Sequence, residues 1–183
     1  PTQAPVAHEA LMELNNHNGQ NVVLLTSNFS ETGRMSLAGE LTSYQELLGR
    51  LPTGDDVALI IKPHPRDSYE KIQQLAERAS KTYRNVITLN DPWAFHLPFE
   101  SLYTRYLQPS ARPTSVATVS SACISLEYLY GQPCELGFGR EIVEREFVSL
   151  WEPLRQIHEA DIAKIVQQIR RDRAKGLYSS RAA

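Results

Sequence analysis

The chain has 183 residues, 42% hydrophobic and 22% charged, with a formal net charge of −2 and a pI of about 6.3. That balance suits one soluble globular domain with its own core and excludes the basic footprint of a nucleic-acid binder, whose domain pI typically exceeds about 9. No apolar run approaches the ~20 residues of a membrane-spanning helix, and two cysteines, Cys123 and Cys134, make neither a disulfide framework nor a complete zinc site.

The cysteines read as small apolar residues in a reducing compartment. With no signal peptide at the start, the expected location is cytoplasmic. Pro1 stands where Met would open a complete product, and the reading favours one domain of something longer.

Residues 1–20 are polar and mixed, a lead-in segment with a short helix expected over His8–Leu14. Asn21–Thr26 contains Val22-Val23-Leu24-Leu25, a continuous apolar run of the kind buried on both faces in parallel sheets. A polar loop follows, Ser27-Asn28-Phe29-Ser30-Glu31-Thr32-Gly33. Leu37, Leu41, Tyr44, Leu48 and Leu51 then recur at helical spacing. A second apolar run, Val57–Ile61, stops at Lys62-Pro63-His64-Pro65-Arg66. Asp67 is the expected N-cap of the next helix, with Glu70 completing a capping-box-like pair.

Ile72, Leu75, Ala76, Ala79 and Tyr83 line that helix. Val86–Leu89 reads as a third strand, Asn90–Trp93 as a turn, and Pro98-Phe99-Glu100 as the start of a short helix. Pro109–Pro113 reads as a loop and Ser115–Val119 as the fourth strand. Ser120-Ser121 ends that strand and caps a helix over Ala122–Tyr130, which stops at Gly131. Pro133–Phe138 is a fifth strand, and two helices finish the chain.

Strands and helices alternate about five times, so the expected fold is α/β, a doubly wound, Rossmann-like parallel sheet. We read residues 1–183 as one domain: the lead-in to 20, an α/β core over 21–139, and carboxyl-terminal helices over 140–183. In such sheets ligands bind at the carboxyl ends of strands. The candidate loops are therefore Ser27–Gly33, Lys62–Arg66, Asn90–Glu100, Ser120–Ser121 and Gly137–Arg140.

His64 stands between two prolines, which leave its backbone few states. Beside Lys62 and Arg66 it can donate to a phosphate oxygen or act as a general acid toward one. Ser120 and Ser121 bring two hydroxyls and orphan backbone N–H groups to a helix start, an anion site if another loop joins them and a plain N-cap otherwise. Adjacent parallel strands sit about 5 Å apart, so the His64 and serine loops, as loops of neighbouring strands, can share one phosphate. Glu100 reads evenly as a ribose-diol acceptor or as an acid placed by the helix dipole. Phe99 and Trp93 are aromatic enough to stack on a base, though such residues are more often core. No glycine-rich phosphate fingerprint, G-x-S-x-G elbow or set of metal ligands is present. Neither Asp55-Asp56 nor Asp161 has metal-ligand partners, and no Asp-x-Asp segment offers a divalent-metal clamp.

Taken in order, Lys62-Pro63-His64-Pro65-Arg66, Pro98-Phe99-Glu100 and Ser120-Ser121 resemble the carboxyl-terminal half of bacterial sialyltransferases and polysialyltransferases, over about residues 22–139. The resemblance implies half of a GT-B fold, whose two Rossmann-like domains enclose the active site. It implies a CMP-activated sugar donor, CMP-sialic acid above all, transferred to a saccharide acceptor. His64 would contact the CMP phosphate and assist its departure, with Pro65 and Arg66 in the same turn. Ser120 and Ser121 would hold that phosphate, Glu100 the ribose hydroxyls, and Lys62 would lie near the cytosine. Ser27, Asn28 and Glu31 would face the cleft.

The family's catalytic base belongs to an acidic motif of the amino-terminal domain, and no such motif occurs here. The chain thus resembles a donor-binding half, with that domain as partner, no cofactor or metal required, and little turnover expected alone. Peripheral membrane association of a longer protein is compatible with the resemblance. A CDP-alcohol glycerophosphotransferase is the alternative, although its serine pair usually follows Asp-Tyr and Thr118-Val119 stands here. A UDP-sugar epimerase of the same fold resembles the serine pair less, and a non-catalytic nucleotide-binding or interaction domain is a third class.

Overall fold

A computed structural model describes residues 9–177. Five strands form one parallel sheet in the order β3-β2-β1-β4-β5, the Rossmann-like arrangement expected. They are β1 (Gln20–Leu25), β2 (Val57–Lys62), β3 (Asn85–Thr88), β4 (Ser115–Thr118) and β5 (Cys134–Leu136). Eight α-helices accompany them among the described residues: α1 (Glu9–Asn16), α2 (Leu37–Leu48), α3 (Tyr69–Ala79), α4 (Pro92–His96), α5 (Phe99–Arg105), α6 (Ala122–Ser125), α7 (Arg140–Glu146) and α8 (Glu152–Ala174).

Successive side chains of a strand point to opposite faces, so each apolar run feeds two cores. Val22, Leu24, Leu59 and Ile61 join the layer packed by α2, α3 and α7. Val23, Leu25, Ala58 and Ile60 join the layer packed by α1, α5 and α8. This is why both runs are unbroken rather than alternating.

The order of strands corrects one expectation. β1 pairs with β2 on one side and β4 on the other, so β2 and β4 are not neighbours and their axes lie about 10 Å apart. The topological switch falls between β1 and β4. The loop after β1 therefore lies between the His64 turn and the serine pair.

Local chemistry also moves three boundaries. The N-cap of α3 is Ser68, whose side chain accepts from the Lys71 N–H, because Asp67 is drawn inward to Lys71 (2.7 Å). The expected turn at Asn90–Trp93 opens α4 instead. Asp91 Oδ1 accepts from the N–H groups of Trp93 and Ala94 at 3.1 and 3.0 Å, with Pro92 in the first turn. The helix expected over Ala122–Tyr130 is α-helical only to Ser125; Leu126–Tyr130 widens to a π-helical turn before Gly131 closes it at φ 65°. His8 lies outside the described residues.

Candidate functional site

A cleft of about 320 Å³ opens at the switch point. Ser27 lines it from the β1–α2 loop, Ser120 and Ser121 from the β4–α6 turn, and Arg34, Arg155 and His158 complete its polar wall. Phe29, Phe147 and Trp151 supply apolar surface.

The His64 turn is set by hydrogen bonds rather than by its prolines alone. The His64 N–H is shared by Thr26 Oγ1 (2.9 Å) and Asp67 Oδ2 (2.8 Å), while the Thr26 hydroxyl itself donates to Asp67. Thr26 is the residue after β1, so the ends of β1 and β2 are tied together. His64 Nδ1 accepts from the Arg66 N–H at 3.1 Å. A backbone N–H only donates, so Nδ1 carries no proton and the neutral ring has its hydrogen on Nε2. Burial, and after it the nearby Lys71, Arg66 and Lys62, hold the imidazole below its usual pKa despite Asp67. His64 is thus prepared as a neutral donor through Nε2. Pro65 and Arg66 are exposed beside it.

Beneath this turn lies a charged cluster that sequence reading missed. The Lys71 ammonium, fully buried, meets Glu31 (2.8 Å), Glu40 (3.1 Å) and Asp67 (2.7 Å), and also donates to Ser27 O at 2.7 Å. Glu40 accepts from the Ser30 N–H at 2.8 Å and the Tyr44 hydroxyl at 3.2 Å. Tyr44 in turn receives the Ser27 N–H at 2.6 Å. Burial would penalise the Lys71 ammonium, but Glu40 and Asp67 raise its pKa above the ordinary value. Burial, with the charges of Glu40 and Asp67, pushes the Tyr44 phenol well up. The cluster fixes the β1–α2 loop to the His64 turn through backbone groups of both.

Glu31 belongs to that cluster rather than facing the cleft freely. It accepts from the Ser68 N–H (2.9 Å) and Lys71. Burial acts to raise its pKa; the Lys71 bond outweighs it and the carboxyl lies below its usual range. Asn28 is half-buried in the same loop, its carbonyl receiving the Thr32 hydroxyl at 2.8 Å. Lys62 turns inward: its ammonium donates to Pro63 O (2.6 Å) and Phe95 O (2.8 Å), bracing the turn against α4. Burial lowers its pKa to about 8, opposed by Asp67 and Asp91.

Ser120 Oγ lies 3.1 Å from Thr118 Oγ1 and receives the Ala122 N–H at 3.3 Å, whereas Ser121 is exposed and its hydroxyl makes no capping bond. Glu100, in the first turn of α5, receives the Ser125 hydroxyl from α6, which links the Pro98-Phe99-Glu100 segment to the serine-pair helix. Phe99 is core, packed edge-on to Tyr103, and Trp93 packs at 4.5 Å on Tyr106.

The glycine loop after β5 is already occupied. The N–H groups of Phe138 and Gly139 each donate to Glu159 at 3.0 Å. A Cβ on Gly137, where φ is 69°, would lie 2.5 Å from that carboxylate. Glu159 also pairs with Arg155 at 2.6 Å. Burial pushes the Cys123 thiol up to about 11 and Cys134 higher still, so both stay protonated and inert. Among the described residues no cluster of His, Cys, Asp and Glu is arranged to hold a metal ion, and no helix is long and apolar enough to cross a membrane.

Arg34 and His158 were legible only as scattered residues; nothing in their local sequence joins them. Arg155 and Glu159 had the i,i+4 spacing of an ordinary surface pair, yet Arg155 is 7% exposed.

No curated protein and no solved structure matches the chain. The sequence profile of the alpha-2,8-polysialyltransferase (POLYST) family matches residues 5–134. That stretch carries β1 to β4, the His64 turn, Glu100 and the serine pair, and it ends at the first residue of β5. Over that majority of its length, and on the fold that displays those residues at strand ends, the chain belongs to the alpha-2,8-polysialyltransferase family, a family of sialic acid-transferring glycosyltransferases.

Proposed function

We propose that this domain binds the CMP part of CMP-sialic acid at the carboxyl ends of β2, β1 and β4, as the donor-binding half of a GT-B glycosyltransferase acting on a saccharide acceptor. The observation that carries the reading is the placement of the His64 turn and the serine pair on either side of the β1 end, in a chain of this family. Strands two apart are separated by about 10 Å. An imidazole reaching from one side and hydroxyls from the other span that gap with one phosphate between them, above Ser27.

The donor phosphate carries one negative charge as a diester and gains another as it leaves. The acceptor oxygen bonds to the anomeric carbon, the bond from that carbon to the phosphate oxygen breaks, and its electron pair stays on CMP. His64 Nε2–H and the hydroxyls of Ser120 and Ser121 are donors aimed at that growing charge. Losing one such donor typically costs roughly 3–4 kcal/mol in the transition state. Glu100, held by Ser125, accepts from the ribose hydroxyls. Lys62 acts by bracing the turn, and Arg66, exposed at its tip, draws in the anion. Pro65 limits the turn's freedom.

Among the described residues that line the switch-point cleft, none is a carboxylate. The acceptor's proton therefore goes to a base outside them, assigned here to a partner amino-terminal domain. No metal ion enters this scheme, so transfer should survive EDTA. Calorimetric titration of wild type and His64→Ala with CMP and UMP tests the reading. Selective CMP binding that weakens about tenfold or more in the variant supports it, by the loss of a charge-assisted bond. Equal binding of UMP, or CMP binding indifferent to His64, refutes it.

A further inference from the structure

Arg34 is held at the end of the β1–α2 loop by its own backbone: its N–H donates to Phe29 O at 2.8 Å, and its carbonyl receives the Val148 N–H at 3.0 Å. Its side chain lines the switch-point cleft with the guanidinium carbon 4.7 Å over the Trp151 ring. Nε is buried and donates to nothing. The guanidinium makes no ion pair among the described residues, in contrast to Arg155, which Glu159 neutralises. A guanidinium carries five N–H donors and no acceptor. Half-buried and without a carboxylate partner among the described residues, the guanidinium gains from an arriving anion.

His158 faces the same space. Burial, and then the charges of Arg155 and Arg34, hold its pKa down against Glu159 and Asp161. It adds a neutral hydrogen-bonding group without adding charge. The free positive charge of this wall is therefore that of Arg34.

Ser120 and Ser121 line the cleft too, and the reading above gives them the donor phosphate. In a 2-keto sugar acid joined to a nucleoside monophosphate, one anomeric carbon carries both the phosphoester oxygen and the carboxylate. Whatever fixes the phosphate at the serine pair brings the carboxylate to the adjoining wall. We propose that Arg34 is the carboxylate-binding residue of the donor site, gripping the carboxylate of the transferred sugar acid through its fork of N–H groups while Trp151 holds the guanidinium plane. Arginine suits this task where lysine does not, because its planar fork matches a carboxylate bidentately and stacks on an aromatic face. Arg34 then selects acidic over neutral sugars, a task the CMP contacts cannot perform.

This inference rests on the donor reading, and the two fail differently. The experiment is calorimetric titration of wild type, Arg34→Gln and Arg34→Lys with CMP and with the 3-fluoro analogue of CMP-sialic acid, which is transferred too slowly to interfere. Arg34→Gln should weaken the analogue roughly 10- to 100-fold, the size of a lost charge-assisted bond, and leave CMP within about twofold. Arg34→Lys, which keeps charge and bulk, should fall between, because an ammonium cannot pair bidentately. Equal weakening of CMP and analogue would place Arg34 on the phosphate and overturn the proposal. An unchanged analogue affinity in both variants would also overturn it while leaving the CMP site intact. Failure of wild type to bind either ligand would overturn the donor reading itself, and this inference with it.

Discussion

Replacing Lys71 with methionine removes the one cation from a buried cluster that holds Glu40 and Asp67 with no side-chain exposure and Glu31 at its edge. Methionine keeps the volume, so the loss is electrostatic. Breaking a buried ion pair by deleting one partner costs about 3–5 kcal/mol. At about 2–4 °C per kcal/mol for a domain of this size, the Tm should fall by roughly 6–20 °C. Thermal unfolding followed by circular dichroism at pH 7.5 measures it.

The pH dependence gives the sign. In wild type the raised Lys71 pKa supplies stability that is complete below its unfolded value and is lost only as pH rises through the folded one. The lowered Glu31 pKa supplies stability that is present above its unfolded value and is lost as pH falls through the folded one. In the variant the orphaned carboxylates instead favour protonation, so the gap in Tm should narrow as pH falls from 7.5 to 5. A drop below about 2 °C, no more than about 1 kcal/mol on the same scale, or a gap that widens on acidification, would refute the cluster as the support of the His64 turn.

Other consequences are open to direct measurement. Lys62, with its pKa lowered to about 8 by burial, should titrate near pH 8 by carbon NMR of its Cε. Its depressed folded pKa means that stability rises with pH between that value and the unfolded one. A midpoint at the ordinary lysine value would show that the ammonium is not held in its buried position. Because His64 serves as a neutral Nε2–H donor, affinity for the CMP-sialic acid analogue should stay within about twofold between pH 6.5 and 7.5. A requirement for the imidazolium would instead cost up to tenfold per pH unit. Glu100→Ala should abolish any preference of wild type for CMP over its 2′-deoxy form while leaving deoxy-CMP affinity unchanged; equal losses for both would remove Glu100 from the ribose.

The sequence made the fold legible where its physics is local. The runs Val22–Leu25 and Val57–Ile61 are unbroken because each strand serves two cores, and a proline-flanked cationic turn after one of them stands out. Strand order is not local: nothing in residues 57–66 or 115–121 says that β1 lies between them, so the two loops were expected to adjoin. Asp67 has the chemistry of a cap, and only its tertiary attraction to Lys71 passes that role to Ser68. Lys71 and Glu40 lie on different helices, 31 positions apart, so no local pattern joins them. Arg34 and His158 meet across 124 positions of sequence with no motif to join them.

Amide and imidazole NMR mapping with CMP examines the central claim most directly. The account predicts that CMP, and not UMP, shifts the amides of Ser27, His64, Ser120 and Ser121 together with the His64 Nε2–H, whose tautomer stays as it is in the free protein. Shifts confined to another surface, such as the cleft between Glu13 and Asn90, or a His64 ring that CMP leaves untouched, would contradict it.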